Sequence, residues 1–296
     1  MSSPPSPTPG PVIAVSSNKG GVGKTTLATN LAIYLRALRE DLSVLLVSLD
    51  DQKTLDRMFA VHDPAPGEPN LKHGWAERSL TSAIQLGEYG VHFVPSPPDL
   101  GVLKSRAEDP KTLSRIIANT DWDGVIILDT KSDLEALTVN AYHAADRVLL
   151  PVADWASLEE AAKIFRLFER SGLDMRLARV VFTLVDRRTK LEHGEKHLFR
   201  KLLEEVQARG WPYYKTHLSR SPRVEMLNSG TGRSLSILHH AKGTAVHDQM
   251  RQLTLEVLDD LAMSDRMPEL AFDDEPDELW GRAPAQGDGW SPWRLR

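Results

Sequence analysis

The sequence predicts an α/β fold: a mostly parallel, twisted sheet flanked by helices on both faces. Three observations predict it. Short runs that are apolar at every position recur along the chain, which is how strands covered on both faces read. Longer amphipathic stretches separate most of them, and such alternation argues right-handed parallel crossovers. A glycine-rich turn joins the first apolar run to the first helical one.

Taken in order, residues 12–17 form the first predicted strand and 25–38 the first helix. Residues 44–49, 91–94, 125–128, 147–152 and 180–185 supply five further strands. Helical spacing also marks 157–170, 190–209 and 241–263. Three regions result. Residues 1–10, rich in Ser and Pro, read as a flexible lead-in with no signal-peptide pattern. Residues 11–263 read as one domain. Residues 264–296 hold eight acidic and four basic side chains and are expected to be disordered. Trp280, Trp290 and Trp293 in that tail have two readings: packing on the domain surface, or a short motif for a partner. A membrane-lying helix is disfavoured there by the absent basic face and by Pro284 and Pro292.

Composition narrows the function. The chain has 296 residues, net charge -5 and no cysteine. Disulfides, thiolate metal sites and Cys-held iron–sulfur clusters are excluded, and a reducing cytoplasm fits. Any DNA contact must come from a local basic patch. No run approaches the ~20 apolar residues of a membrane span, so stable membrane insertion is not expected.

The chemistry concentrates at Asn18-Lys19-Gly20-Gly21-Val22-Gly23-Lys24-Thr25-Thr26. Glycines let backbone N–H groups wrap a triphosphate, and the following helix start adds its positive dipole end. In this pattern Lys24 contacts the β- and γ-phosphates and the Thr25 hydroxyl ligates Mg²⁺. Gly20, Gly21, Val22, Gly23, Lys24, Thr25 and Thr26 are thus the expected ATP-binding residues. Asp129 closes the fourth apolar run, placed to hold Mg²⁺ through water as a Walker B residue does. Asp50 closes the second. The plainer readings are a strand-end turn for Asp129 and a helix cap for Asp50.

The loop departs from the usual Walker pattern: its first Gly would fall on Asn18, and Lys19 is an extra lysine. On these residues the chain resembles the ParA/MinD family of deviant Walker A P-loop ATPases, most closely the Soj-type partition members. The resemblance implies an ATP- and Mg²⁺-dependent homodimer in which Lys19 reaches the partner's nucleotide. It implies that Asp50 orients the attacking water, so that Lys19, Lys24 and Asp50 carry catalysis. Ser48 stands where the family has an Asp, and Lys131-Ser132 where it often has Pro-Pro, which leaves metal affinity and switching altered.

Two later segments extend the likeness. The stretch Asp186-Arg187-Arg188-Thr189 is similar to a family segment near the base, making Asp186 and Arg187 nucleotide contacts. Arg220 and Arg223 match a basic pair that binds DNA without sequence preference, with Ser219 where Pro is usual; Arg233 and Lys242 extend that patch. The implied function is an ATPase that dimerises on ATP, binds double-stranded DNA on the nucleoid and positions a cargo. A ParB-like or other adaptor stimulates hydrolysis. The alternatives are a MinD-like membrane-surface positioner and a poorly hydrolysing, nucleotide-gated DNA scaffold.

Overall fold

Every predicted apolar run contributes a strand to one sheet. The computed structural model describes residues 10–50, 54–61, 67–97, 99–186, 198–229 and 236–263. The strands are β1 (Val12–Val15), β2 (Val44–Leu49), β3 (Gln85–Leu86), β4 (His92–Val94), β5 (Val125–Thr130), β6 (Arg147–Val152) and β7 (Ala178–Phe182). Their order across the sheet is β3-β4-β2-β5-β1-β6-β7. All pairings are parallel except the antiparallel β3–β4 edge. Its two residues are too short to leave a periodic signal.

The lack of alternation has its reason in the packing. Ile13, Val15, Val44 and Leu46 face one apolar cluster, shared with α1 (Lys24–Leu38), α2 (Thr54–Phe59), α10 (Ile237–His240) and α11 (Ala245–Asp260). Val12, Ala14, Leu45 and Val47 face the other. That second face carries α3 (Leu71–Glu77), α4 (Gly101–Lys104), α5 (Thr112–Ala118), α6 (Ala136–Ala144), α7 (Trp155–Ser171) and α8 (Leu198–Ala208). Both faces exclude water, so the strand middles are apolar, and the buried polar side chains Ser48, Asp129 and Thr130 sit at the carboxyl ends of β2 and β5. A short helix, α9 (Pro222–Ser229), packs Val224 and Leu227 against the first cluster.

Three boundaries differ from the sequence reading. The helix expected over 241–263 is shorter, Ala245–Asp260. The chain breaks between α10 and α11 at Gly243, whose φ of 73° lies in the left-handed region that glycine enters without strain. The last strand stops at Phe182, and Val185 makes only an isolated bridge to Ser219. Of the helix expected over 190–209, Leu198–Ala208 is helical and 190–197 lies outside the described residues. The lead-in up to residue 9 and the whole tail 264–296, with its three tryptophans, also lie outside them.

A histidine cluster joins α10 to α11. His239 stacks on Tyr89 with ring centroids 5.1 Å apart, and its Nδ1 shares a 2.7 Å hydrogen bond with Ser236 Oγ. Burial, with His240, Lys242 and His247 nearby, pushes its pKa from 6.5 down to about 4. Above pH 6.5 the imidazole is neutral both folded and unfolded. Below it the unfolded chain binds a proton that the folded chain refuses, so stability falls between pH 6.5 and 4. Thermal unfolding across this range is expected to show that loss. His239→Gln, which cannot titrate, is expected to reduce it, the remainder coming from His92, His143, His240 and His247, whose pKa values burial also lowers.

Candidate functional site

The phosphate loop is built by backbone conformation. Gly21 and Gly23 have φ of 77° and 87°, and a Cβ on either would meet nothing within 4 Å. Glycine is needed for the turn itself, and the space over it is open. Helix α1 begins at Lys24 with no side-chain cap and no acidic residue in its first turn. Its first N–H groups therefore point, uncapped, toward the carboxyl edge of the sheet, as an anion site requires. Thr183 at the end of β7 donates a buried 2.8 Å bond to the Val22 carbonyl. Asn30 ties the helix start to α10 through Thr26 O and Ile237 N, both at 2.8 Å.

The acidic residues converge on that edge because β2 and β5 are neighbours, with Ser48 in register with Asp129. Asp129 is fully buried, its Oδ1 has no hydrogen-bond partner, and its pKa is pushed up to about 7. Burial is the largest cause; nearby Asp50 adds to it, while a Thr25 hydrogen bond and Lys24 oppose it. An orphaned carboxylate oxygen beside a hydroxyl and a second carboxylate is a donor set for a hard dication. The residues fit Mg²⁺: Thr25 and Asp129 would hold it, with Asp50 close by. Burial lowers the Lys24 pKa, against the attraction of Asp129, Asp50 and Asp133. Its ammonium donates a hydrogen bond to Ser132 Oγ.

Lys19 points elsewhere. Its Nζ pairs with Asp154 Oδ2, and Asn18 beside it donates to Glu160 Oε2. Asp154 caps α7, accepting from Ser157 N at 2.8 Å. Burial raises its pKa, but hydrogen bonds from Lys19 and Ser157 outweigh this and hold it low. On the other side of the loop lies a cleft of about 510 Å³. Leu27, Leu184, Leu218, Val224, Ile237 and Met250 give it apolar walls, which suits the face of a nucleobase.

Comparison with known proteins places these features in a lineage. A family model described as an AAA domain matches residues 10–171. The chromosome-partitioning ATPase Soj of Thermus thermophilus is 32% identical over 252 residues, covering 83% of this chain and 94% of that protein. The chain belongs to the ParA/MinD family of P-loop ATPases.

Solved structures agree on the fold. A McdA variant from Cyanothece in complex with ATP superposes with a TM-score of 0.67 at 16% identity, over 85% of this chain and 97% of that one. Cobyrinic acid a,c-diamide synthase from Mycobacterium smegmatis, bound to ADP and magnesium, gives 0.64 at 22%, over 88% and 99%. One fold thus serves distinct proteins, and the function of this family member must be read from its site.

In this ParA/MinD-family ATPase the loop residues, Asp50 and Asp129 gather at one edge, as expected. Asp186 is exposed beyond the end of β7; Arg187 and Arg233 lie outside the described residues. Arg220 lines the apolar cleft and pairs with Glu225 at 2.7 Å. Arg223 donates to the His240 carbonyl, and Lys242 lies at the break between α10 and α11. Ser48 is buried, and its hydroxyl accepts from Asp50 N at 3.2 Å, so the family's missing carboxylate is replaced by a turn-closing hydroxyl. Sequence reasoning missed Asp154 and Thr183, and it singled out Ser132 without its contact to Lys24. The Asp154-to-Ser157 capping box is legible as a helix start. Its contact with Lys19 is not.

Proposed function

We propose that this chain is an ATP-driven partition or positioning protein whose ATP-bound form is a homodimer held by Lys19 acting across the interface. The observation that carries the reading is the Lys19–Asp154 pair beside the phosphate loop. Both side chains are about a third exposed, at 32% and 42%. Such ion pairs contribute only about 0–1 kcal/mol. A charge-assisted bond to a phosphate is worth roughly 1.5–3 kcal/mol. A γ-phosphate on a partner molecule can therefore draw Lys19 off Asp154, and ATP becomes a condition for dimerisation.

Within each subunit, Lys24 and the loop N–H groups hold the phosphates. Mg²⁺ held through Thr25 and Asp129 supplies charge neutralisation, and Asp50 orients water for attack on the γ-phosphate. Arg220, Arg223 and Lys242, with Arg233, are proposed to contact DNA phosphates without sequence preference. Dimerisation doubles that patch and turns weak contacts into retention. A ParB-like adaptor would trigger hydrolysis and release, in a nucleoid-associated cytoplasmic protein. Among the described residues no helix is long and apolar enough to cross a membrane.

DNA retention by the purified full chain tests the reading. Retention is expected with a non-hydrolysable ATP analogue, not with ADP, and is expected to fall steeply as salt rises. Equal retention with both nucleotides refutes nucleotide gating. Arg220→Glu with Arg223→Glu is expected to abolish retention while leaving ATP-dependent dimerisation intact; nucleotide affinity is measured alongside because Arg220 borders the cleft. Unchanged retention moves the DNA surface elsewhere. The turn-closing role of Ser48 favours one second reading, a nucleotide-gated DNA scaffold that hydrolyses poorly. Single-turnover hydrolysis, with and without DNA, separates the two.

A further inference from the structure

We propose that Trp155 is the apolar anchor of an interface between two copies of this chain, and that the face it stands on is covered by the same face of a second molecule. The inference rests on the ATP-dependent dimer proposed above and names the side chain that supplies its apolar attraction.

Trp155 is the first residue of α7, directly after the N-cap Asp154, and it is 42% exposed. A large aromatic side chain left that open to water marks a contact surface more often than a scattered small one does. Its direction follows from the fold. β6 is parallel to β1, so α7, which begins after β6, starts at the carboxyl edge that carries the phosphate loop. Cα–Cβ bonds in a helix tilt toward its N-terminus, and no helical turn precedes Trp155. The indole therefore leans toward that edge. The capping box of Asp154 and Ser157 fixes the start of the helix, so the ring is held on a rigid support.

Two more exposed apolar side chains stand at the same edge. Leu184 lies two residues past the end of β7. Leu198 opens α8, and the ring of Phe199 beside it meets Phe182 at the end of β7. β6 and β7 are paired neighbours, so all three side chains flank one stretch of the edge.

The charges around Trp155 decide what covers it. Both signs are present: Lys19 pairs with Asp154, and Glu160 accepts from Asn18 and from Lys163. A two-fold axis sets a surface against itself, so a mixed-sign face is complementary to its own copy. A face for DNA would instead be uniformly basic. Lys19 adds a second reason. It is bonded to the residue next to Trp155 in the chain, so a molecule that draws Lys19 away must come within reach of the indole. Tryptophan is enriched among the few residues that carry most of an interface's binding energy. Nucleotide supplies the condition for the dimer, and Trp155 supplies its apolar attraction.

Sedimentation velocity of the purified full chain with Mg²⁺ and AMPPNP, over a dilution series, tests this. Trp155→Ala is expected to raise the dimer dissociation constant about 100-fold or more, because a two-fold dimer loses the side chain twice and each loss costs about tenfold or more. AMPPNP affinity, measured at a dilution where both proteins are monomeric, is expected to stay within about twofold of wild type. Trp155→Phe, which keeps an apolar ring, is expected to recover most of the dimerisation. A dimeric wild type with an equally dimeric Trp155→Ala leaves the face to some other occupant and overturns the inference alone. Loss of AMPPNP affinity in Trp155→Ala overturns it too, by placing the indole in its own subunit's site, as does a Trp155→Phe no better than Trp155→Ala. A wild type that stays monomeric refutes the dimer reading and this inference together.

Discussion

Lys19→Ala is expected to abolish ATP-dependent dimerisation while leaving ATP bound within a few-fold of the wild-type affinity. In the single chain Lys19 touches Asp154, the N-cap of α7, whereas Lys24 and the loop backbone are proposed to hold the phosphates. Deleting Lys19 thus removes only the contact that a second subunit would receive. Sedimentation with AMPPNP and Mg²⁺ measures the outcome: wild type should run as a dimer and the variant as a monomer at the same concentration. A dimeric variant would remove the basis of the switch. The companion change is Asp154→Asn. Asn caps helices as well as Asp does, so the start of α7 persists while the charge that restrains Lys19 disappears. Dimerisation is expected at an ATP concentration lower by a few-fold, matching a half-exposed ion pair worth at most about 1 kcal/mol.

Asp129→Asn is expected to separate stability from function. Its carboxylate is buried, has an oxygen without a partner and lies near Asp50. Removing one charge from such a pair relieves repulsion and desolvation, so the nucleotide-free protein should unfold at a higher temperature. The same change removes the anionic oxygen that fits Mg²⁺. The additional stabilisation from Mg²⁺ with AMPPNP should shrink, and metal affinity should fall on the order of 10- to 100-fold. Thermal unfolding with and without metal reads both effects. A variant less stable than wild type without ligand would mean that the carboxylate is satisfied in a way the geometry does not show. Stability held back at a functional carboxylate is a common trade at such sites.

How much of this was legible depended on how far apart the interacting residues lie along the chain. Gly20 to Thr26 sit at one strand–helix junction, so spacing alone carries their chemistry. Asp50 and Asp129 were legible as residues closing apolar runs, because parallel strands place such residues at one edge of the sheet. The partners of the two lysines were not. Asp154 is 135 residues from Lys19 and Ser132 is 108 from Lys24, and no local pattern spans such distances. The turn at Gly243, which delays the last helix to Ala245, was also hidden.

The amino-acid order by itself determined the layered fold, the phosphate loop and the two strand-end carboxylates. Each follows from short-range rules: uniformly apolar strands, glycines at a left-handed turn, polar residues where strands end. Only the tertiary structure decided where the lysines rest without nucleotide, that Ser48 closes a turn and that Arg220 borders a cleft. Those outcomes depend on which elements the strand order brings side by side, and long-range packing settles that order.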